Sequence, residues 1–167
     1  MYKNVYVIGV FDLFHRGHLE LLRKAKELGG NLIVAVNSDN KVSSYKRQPV
    51  VPEHDRLEIV KACKYVDDAF IIDGYAQMEY IEKYNIDAII HGNDWSRERY
   101  LHQICVTEKY LKERNTELIL LPYTAGVSTS QILGRIRAIE REEVLKQLGH
   151  LKQLPEARSG TAIEDHI

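Results

Sequence analysis

Cysteine is scarce in this chain: two residues in 167, Cys63 and Cys105, with no CxxC spacing. That excludes a disulfide framework and a cysteine-built zinc site, and the expectation is two reduced core thiols in a cytoplasmic protein. An excess of either charge is missing as well. Lys and Arg total 23 against 24 Asp and Glu, the formal net charge is -1, and no lysine-rich run occurs. Nucleic acid and anionic membrane surfaces are therefore not expected partners. Long apolar runs are absent too: stretches such as Leu118 to Pro122 fall far short of a bilayer's width. Met1-Tyr2-Lys3-Asn4 leads directly into a strand-like segment, with neither the apolar region nor the small-residue cleavage site of a secretory signal. No internal repeat is visible.

What is present fits one globular domain with a buried core, at 44% hydrophobic residues. Short apolar runs alternate with amphipathic stretches. Strands are expected at Val5–Gly9, Leu32–Val36, Ala69–Ile72, Asp87–His91 and Glu117–Leu121. Between them, Leu19, Leu22, Ala25 and Leu28 recur at helical spacing until Gly29-Gly30 ends the helix. Pro52-Glu53 opens a helix with Leu57, Val60 and Cys63 on one side. A short helix over Gln77–Tyr84, a single one from Glu98 to Arg114 and a last one starting near Ser128 complete the pattern. Continuous apolar strands between helices predict an α/β fold: a Rossmann-like, doubly wound, five-stranded parallel sheet with helices on both faces. The expected domain spans residues 1–154, including the C-terminal helix, and residues 155–167, without an apolar period, read as a flexible tail.

In such a fold ligands bind beyond the carboxyl ends of the strands, and four polar segments follow strands directly. The first is Gly9-Val10-Phe11-Asp12-Leu13-Phe14-His15-Arg16-Gly17-His18. His15 and His18 share one face of a first helical turn, and Gly17 lets a ligand approach the backbone. A helix N-terminus attracts phosphate, and two imidazoles there can stabilise charge developing on phosphate oxygens. A metal pair would need a third ligand, and none lies nearby in sequence. The second segment, Ser43 to Pro49, carries Lys46 and Arg47, either solvated or a mobile cation for a polyphosphate. The third is His91-Gly92-Asn93-Asp94-Trp95, where Asn and Asp can read a ribose or a base edge and Trp95 can stack or pack. The fourth, Pro122 to Gln131, sets Ser128, Thr129 and Ser130 at a second helix start, with Ser128 and Gln131 in capping-box spacing. Two helix N-termini at one sheet edge suit a triphosphate.

His15-Arg16-Gly17-His18 within GVFDLFHRGH resembles the HxGH signature of the cytidylyltransferase family, and GVSTS at 126–130 resembles that family's second signature. The resemblance covers roughly residues 4–137. It implies that His15 and His18 contact the triphosphate and stabilise the transition state. Lys46, the third catalytic candidate, would bridge the nucleotide and acceptor phosphates. The nucleotide side would take in Gly9, Val10, Phe11, Asp12, Gly17, Gly92, Asn93, Asp94, Thr124, Gly126, Val127, Ser128 and Thr129, with Asp94 on the nucleoside and Ser128 and Thr129 on the outgoing phosphates. The acceptor side would take in Asp12, Lys46, Arg56, Lys64 and Trp95. The implied reaction moves CMP from CTP to a small phosphorylated alcohol, with Mg²⁺ carried by the triphosphate rather than by protein ligands, in a homodimer. Glycerol 3-phosphate is the first expected acceptor. Phosphoethanolamine and aminoethylphosphonate are rivals, because Lys64 and Tyr123 stand where the glycerol-phosphate enzymes carry arginines. SYKRQP and PYTAGVS look more like the aminoethylphosphonate enzymes. Bidentate phosphate contacts are lost with those arginines. Adenylyl transfer of the heptose-phosphate or flavin type, and a non-catalytic nucleotide sensor, are the competing readings.

Overall fold

The computed structural model describes residues 1–151, so the expected tail at 155–167 lies outside the described residues. The described chain falls into two compact units, Met1–Thr129 and a second beginning at Ser130.

Five strands form one sheet in the first unit: β1 Tyr2–Gly9, β2 Gly29–Asn37, β3 Asp68–Ile72, β4 Ala88–Gly92 and β5 Glu117–Leu121. Their order is β3-β2-β1-β4-β5, and every pairing is parallel. The expected doubly wound sheet is present. The chain runs outward through β2 and β3, then crosses back to the far side of β1. The crevice for a ligand therefore opens at the carboxyl ends of β1 and β4.

Alternation along the strands divides the core in two. Val5, Val7, Leu32, Val34, Val36, Ala88 and Ile90 lie on one face, with Leu22 and Ala25 of α1 (Arg16–Leu28) and Val60 of α3 (Glu53–Lys61). Tyr6, Ile8, Ile33, Ala35 and Ile89 lie on the other. There they meet Ile81 of α4 (Met78–Lys83), Tyr100 and Leu101 of α5 (Arg97–Gln103), and Leu111 of α6 (Glu108–Arg114). Removing one of these wholly enclosed branched side chains, as in Ile89→Ala, costs about 2–5 kcal/mol.

Several elements differ from the sequence reading. Gly29-Gly30 closes α1 but also opens β2, because Gly29 is extended (φ -141°). Leu19 is exposed rather than part of the buried stripe. The single helix expected over 98–114 is two, α5 and α6. Cys105 turns left-handed (φ 53°) between them, and Thr107 caps α6 by accepting from the Tyr110 amide at 3.1 Å. Cys105 is accordingly exposed, not a core thiol, and both cysteines are free. A short α2 (Asp39–Ser43), capped by Ser38, has no apolar period to betray it. The last helix, α7, runs Thr129–Leu151. None of the described helices is long and apolar enough to cross a membrane.

Candidate active site

At the end of β1 the backbone takes two left-handed residues, Phe11 (φ 56°) and Leu13 (φ 48°). Such φ values strain bulky side chains and mark functional loops. They fold the chain back so that His15 becomes the N-cap of α1 and His18 the third residue of its first turn. The Gly17 amide donates to His15 Nδ1 at 3.0 Å, and the His15 amide points at His18 Nδ1 at 3.4 Å. The rings stack at 3.8 Å, and Phe11 and Phe14 wall in His18. With both Nδ1 atoms accepting, the neutral rings carry their hydrogens on Nε2. Burial lowers the pKa of His15, and pushes that of His18 down to about 3, helped by His15 and Lys46 and opposed by Asp12. The pair is a set of two neutral N–H donors.

Gly17 is needed for a reason other than ligand approach. A Cβ there would stand 2.9 Å from His15 Cε1 and 3.5 Å from Val127 Cγ1. The glycine makes room for the imidazole itself. Gly9 likewise yields to the Phe11 ring, and Gly92 to the Asp94 carboxylate.

The second signature joins the first directly. Thr129 Oγ1 donates to the Asp12 carbonyl at 2.9 Å, and Arg16 reaches the Ala125 carbonyl at 3.4 Å. Gly126 takes φ 82°, Tyr123 OH donates to the Val127 carbonyl at 3.3 Å, and Ser128 immediately precedes α7. Thr124 is half-buried in the same loop. From β4, Asn93 Oδ1 accepts from the Tyr123 amide at 3.0 Å, which ties the third segment to the fourth. Asp94 remains half-exposed, 3.9 Å from His91 Nε2. Trp95 packs against the apolar layer with the Arg99 guanidinium 5.5 Å above its ring.

Three expected ligand contacts are corrected. Asp12 is 3% exposed and its carboxylate is already engaged. It accepts from the Val50 and Val51 amides at 3.0 Å and pairs with Arg47 at 2.8 Å. Burial alone would raise its pKa, but the Val51 amide, Arg47 and the Val50 amide together hold it below the usual carboxylate value. Asp12 therefore clamps the 47–51 loop and offers a ligand only its backbone neighbourhood. Arg56 is 1% exposed. It donates to the carbonyls of Val51, Val10 and Asn37 and to Asp39 Oδ1, so four of its five N–H groups are taken. It ties β1, β2 and α3 together and has no face for an acceptor. Lys64 lies in the turn leading into β3, and the adjoining Asp67 bonds both the Leu32 amide and Lys26. That is the amino end of the parallel sheet, opposite the crevice. Lys46 is placed differently: it is exposed on the loop and close enough to depress the His18 pKa.

The sequence reading missed Arg16 as a bridge between the two signatures.

The cytidylyltransferase-like family model matches residues 6–135, the stretch that carries all four segments. The chain belongs to the cytidylyltransferase-like family. It is 37% identical over 149 residues to an ethanolamine-phosphate cytidylyltransferase of Arabidopsis thaliana, covering 83% of this chain and 33% of that protein. The chain thus spans about a third of such longer relatives. An FAD synthase of Pyrococcus abyssi is 40% identical over 147 residues, covering 81% of this chain and 93% of the relative. A glycerol-3-phosphate cytidylyltransferase of Staphylococcus aureus is 34% identical over 131 residues, covering 78% and 92%. Among solved structures, a lipopolysaccharide core biosynthesis protein from Thermoplasma volcanium aligns with TM-score 0.62 at 28% identity, covering 74% of this chain and all of that one. This cytidylyltransferase-like chain thus has relatives named for different acceptors.

Proposed function

We propose that this family member transfers a cytidylyl group from CTP to a small phosphorylated alcohol or phosphonate, releasing pyrophosphate. The observation that carries the reading is the neutral His15–His18 pair, with both Nδ1 atoms taken by backbone amides so that the ring hydrogens sit on Nε2, at the start of α1 and laced to the second signature through Thr129 and Arg16. An anionic acceptor oxygen attacks the α-phosphorus in line. The new P–O bond forms as the bond to the bridging oxygen breaks, and pyrophosphate carries away the charge. No protein base or nucleophile is required, since the attacking oxygen is already ionised. The two imidazoles donate to phosphate oxygens as charge develops, and exposed Lys46 supplies a mobile positive charge.

Among the described residues no three His, Cys, Asp or Glu side chains cluster as metal ligands. The site imidazoles present N–H groups rather than lone pairs, so Mg²⁺ would be held by the nucleotide's own phosphate oxygens. Adenylyl transfer is the second reading, favoured by the FAD synthase similarity at 40% identity. The test is pyrophosphate release from CTP and from ATP, each with a panel of phosphorylated acceptors. Release from CTP alone supports the proposal, release from ATP alone replaces it, and release from neither removes both.

A further inference from the structure

The cations around the crevice divide by what they already hold. Arg47 is paired with Asp12, and Arg56 with Asp39. Arg16 is exposed at the first residue of α1, and its guanidinium makes one hydrogen bond among the described residues, from Nη2 to the Ala125 carbonyl at 3.4 Å. That partner is a poor one. The bond is longer than the usual range of about 2.7–3.2 Å, and a neutral carbonyl offers one oxygen to a guanidinium fork that suits two.

The loop at Ala125 does not depend on Arg16 for its shape. Asn93 Oδ1 holds the Tyr123 amide at 3.0 Å, Tyr123 OH donates to the Val127 carbonyl at 3.3 Å, and Thr129 Oγ1 donates to the Asp12 carbonyl at 2.9 Å. The guanidinium can therefore exchange a neutral oxygen for an anionic one with the loop still held. Its position says which anion. Arg16 stands on the first turn of α1 and reaches the loop that leads into the second signature, so its charge lies across the join of the two signatures. His15 and His18 at that join are neutral and contribute hydrogen bonds without net charge. A polyphosphate carries several negative charges. It accepts a guanidinium fork through two oxygens, in bonds roughly twice as strong as neutral ones.

We propose that Arg16 turns from the Ala125 carbonyl onto the terminal phosphates of the bound nucleotide and carries positive charge against the pyrophosphate as it leaves. The bond from the α-phosphorus to the bridging oxygen breaks and its electron pair stays on pyrophosphate. Arg16 meets that charge as a permanently protonated donor, with no proton transferred. The proposal rests on the nucleotidyl-transfer reading for the identity of the anion, and its test includes a binding measurement that needs no turnover.

The experiment measures calorimetric binding of CTP, CMP, ATP, AMP and inorganic pyrophosphate, each with Mg²⁺, to the full chain and to its Arg16→Ala and Arg16→Lys variants. Pyrophosphate release with the acceptor panel is followed alongside. Arg16→Ala should weaken pyrophosphate and the preferred triphosphate by about ten- to a hundredfold and leave the matching monophosphate within about twofold. Inhibition by added pyrophosphate should weaken by the same factor, while the KM for the acceptor and the melting temperature stay unchanged. Arg16→Lys, which keeps the charge but not the fork, should recover part of the loss. Equal weakening of monophosphate and triphosphate would mean that Arg16 only anchors the loop, and overturns the proposal. Full affinity for triphosphate and pyrophosphate in Arg16→Ala overturns it as well, as does a parent chain that binds neither. Loss of pyrophosphate binding in the variant, with no release from CTP or ATP by either protein, would sustain the arginine's role while refuting nucleotidyl transfer. Equal release and equal pyrophosphate inhibition in both proteins would refute that role and sustain the transfer.

Discussion

Gly17→Ala separates stability from activity. The added methyl would stand 2.9 Å from His15 Cε1 and 3.0 Å from Nδ1, whereas unstrained carbon contacts sit at about 3.5–4.0 Å. The obstacle is the end of a side chain, so the imidazole yields by roughly 0.6 Å or more, and with it go the 3.0 Å bond from the residue 17 amide and the stack on His18. Misplacing a group that must meet a transition state by about 1 Å can lower the rate by about 10²-fold. The fold gains instead: position 17 is in the first turn of α1, and replacing a helical glycine by alanine contributes up to about 1 kcal/mol. The expected outcome is an equal or higher melting temperature with pyrophosphate release reduced about a hundredfold. Near-normal turnover in the variant would refute the claim that this glycine exists to seat His15, and a large fall in stability would show that the ring cannot give way.

Other perturbations have equally definite outcomes. His18→Ala should lower turnover by about 10²–10³ while the protein stays folded; a folded variant with ordinary rates removes His18 from the mechanism. Because the His18 pKa falls from 6.5 to about 3 on folding, the unfolded chain binds its proton first. Stability should be fully present above pH 6.5 and decline as pH falls toward 3; His18→Asn should flatten that decline in a pH series of melting curves, and an unchanged slope contradicts it. Cutting before Pro155 removes 13 residues with no periodic apolar face and should preserve both melting temperature and pyrophosphate release. A loss of rate at unchanged stability would show that the tail closes on the acceptor.

The parts of the fold that could be read in advance are those whose signal is local. Strands covered on both faces appear as uninterrupted apolar runs, so β3, β4 and β5 were legible almost to the residue, and alternation with helices fixed the parallel sheet. The split of α5 from α6 was not, because helical residues continue through 98–114 and only the left-handed Cys105 and the Thr107 cap interrupt them. Signature residues at the two helix starts were legible because each follows a strand. Charged residues were misjudged where their partners are distant. Arg56 looks like a free cation on an amphipathic helix, yet its carbonyl partners lie 46 and 19 residues away, at Val10 and Asn37. Lys64 failed for the opposite reason: a motif match carries no information about which end of the sheet the residue occupies.

These misjudged charges explain how the site works as a scaffold. Asp12 with Arg47, and Asp39 with Arg56, spend their charges on one another and on backbone groups. They hold the end of β1 and the 47–51 loop in place and cannot follow a ligand. The groups left for a ligand are of another kind: two neutral imidazole donors and the exposed Lys46. A charged histidine pair stacked at 3.8 Å would repel itself and destabilise the loop before any nucleotide arrived. Keeping the pair neutral lets the rings stay stacked and, in the proposed reaction, would preserve their N–H groups for charge that appears only as the phosphate bond breaks. A preorganised donor of that kind stabilises the transition state more than the ground state, which is the condition for raising turnover rather than only affinity.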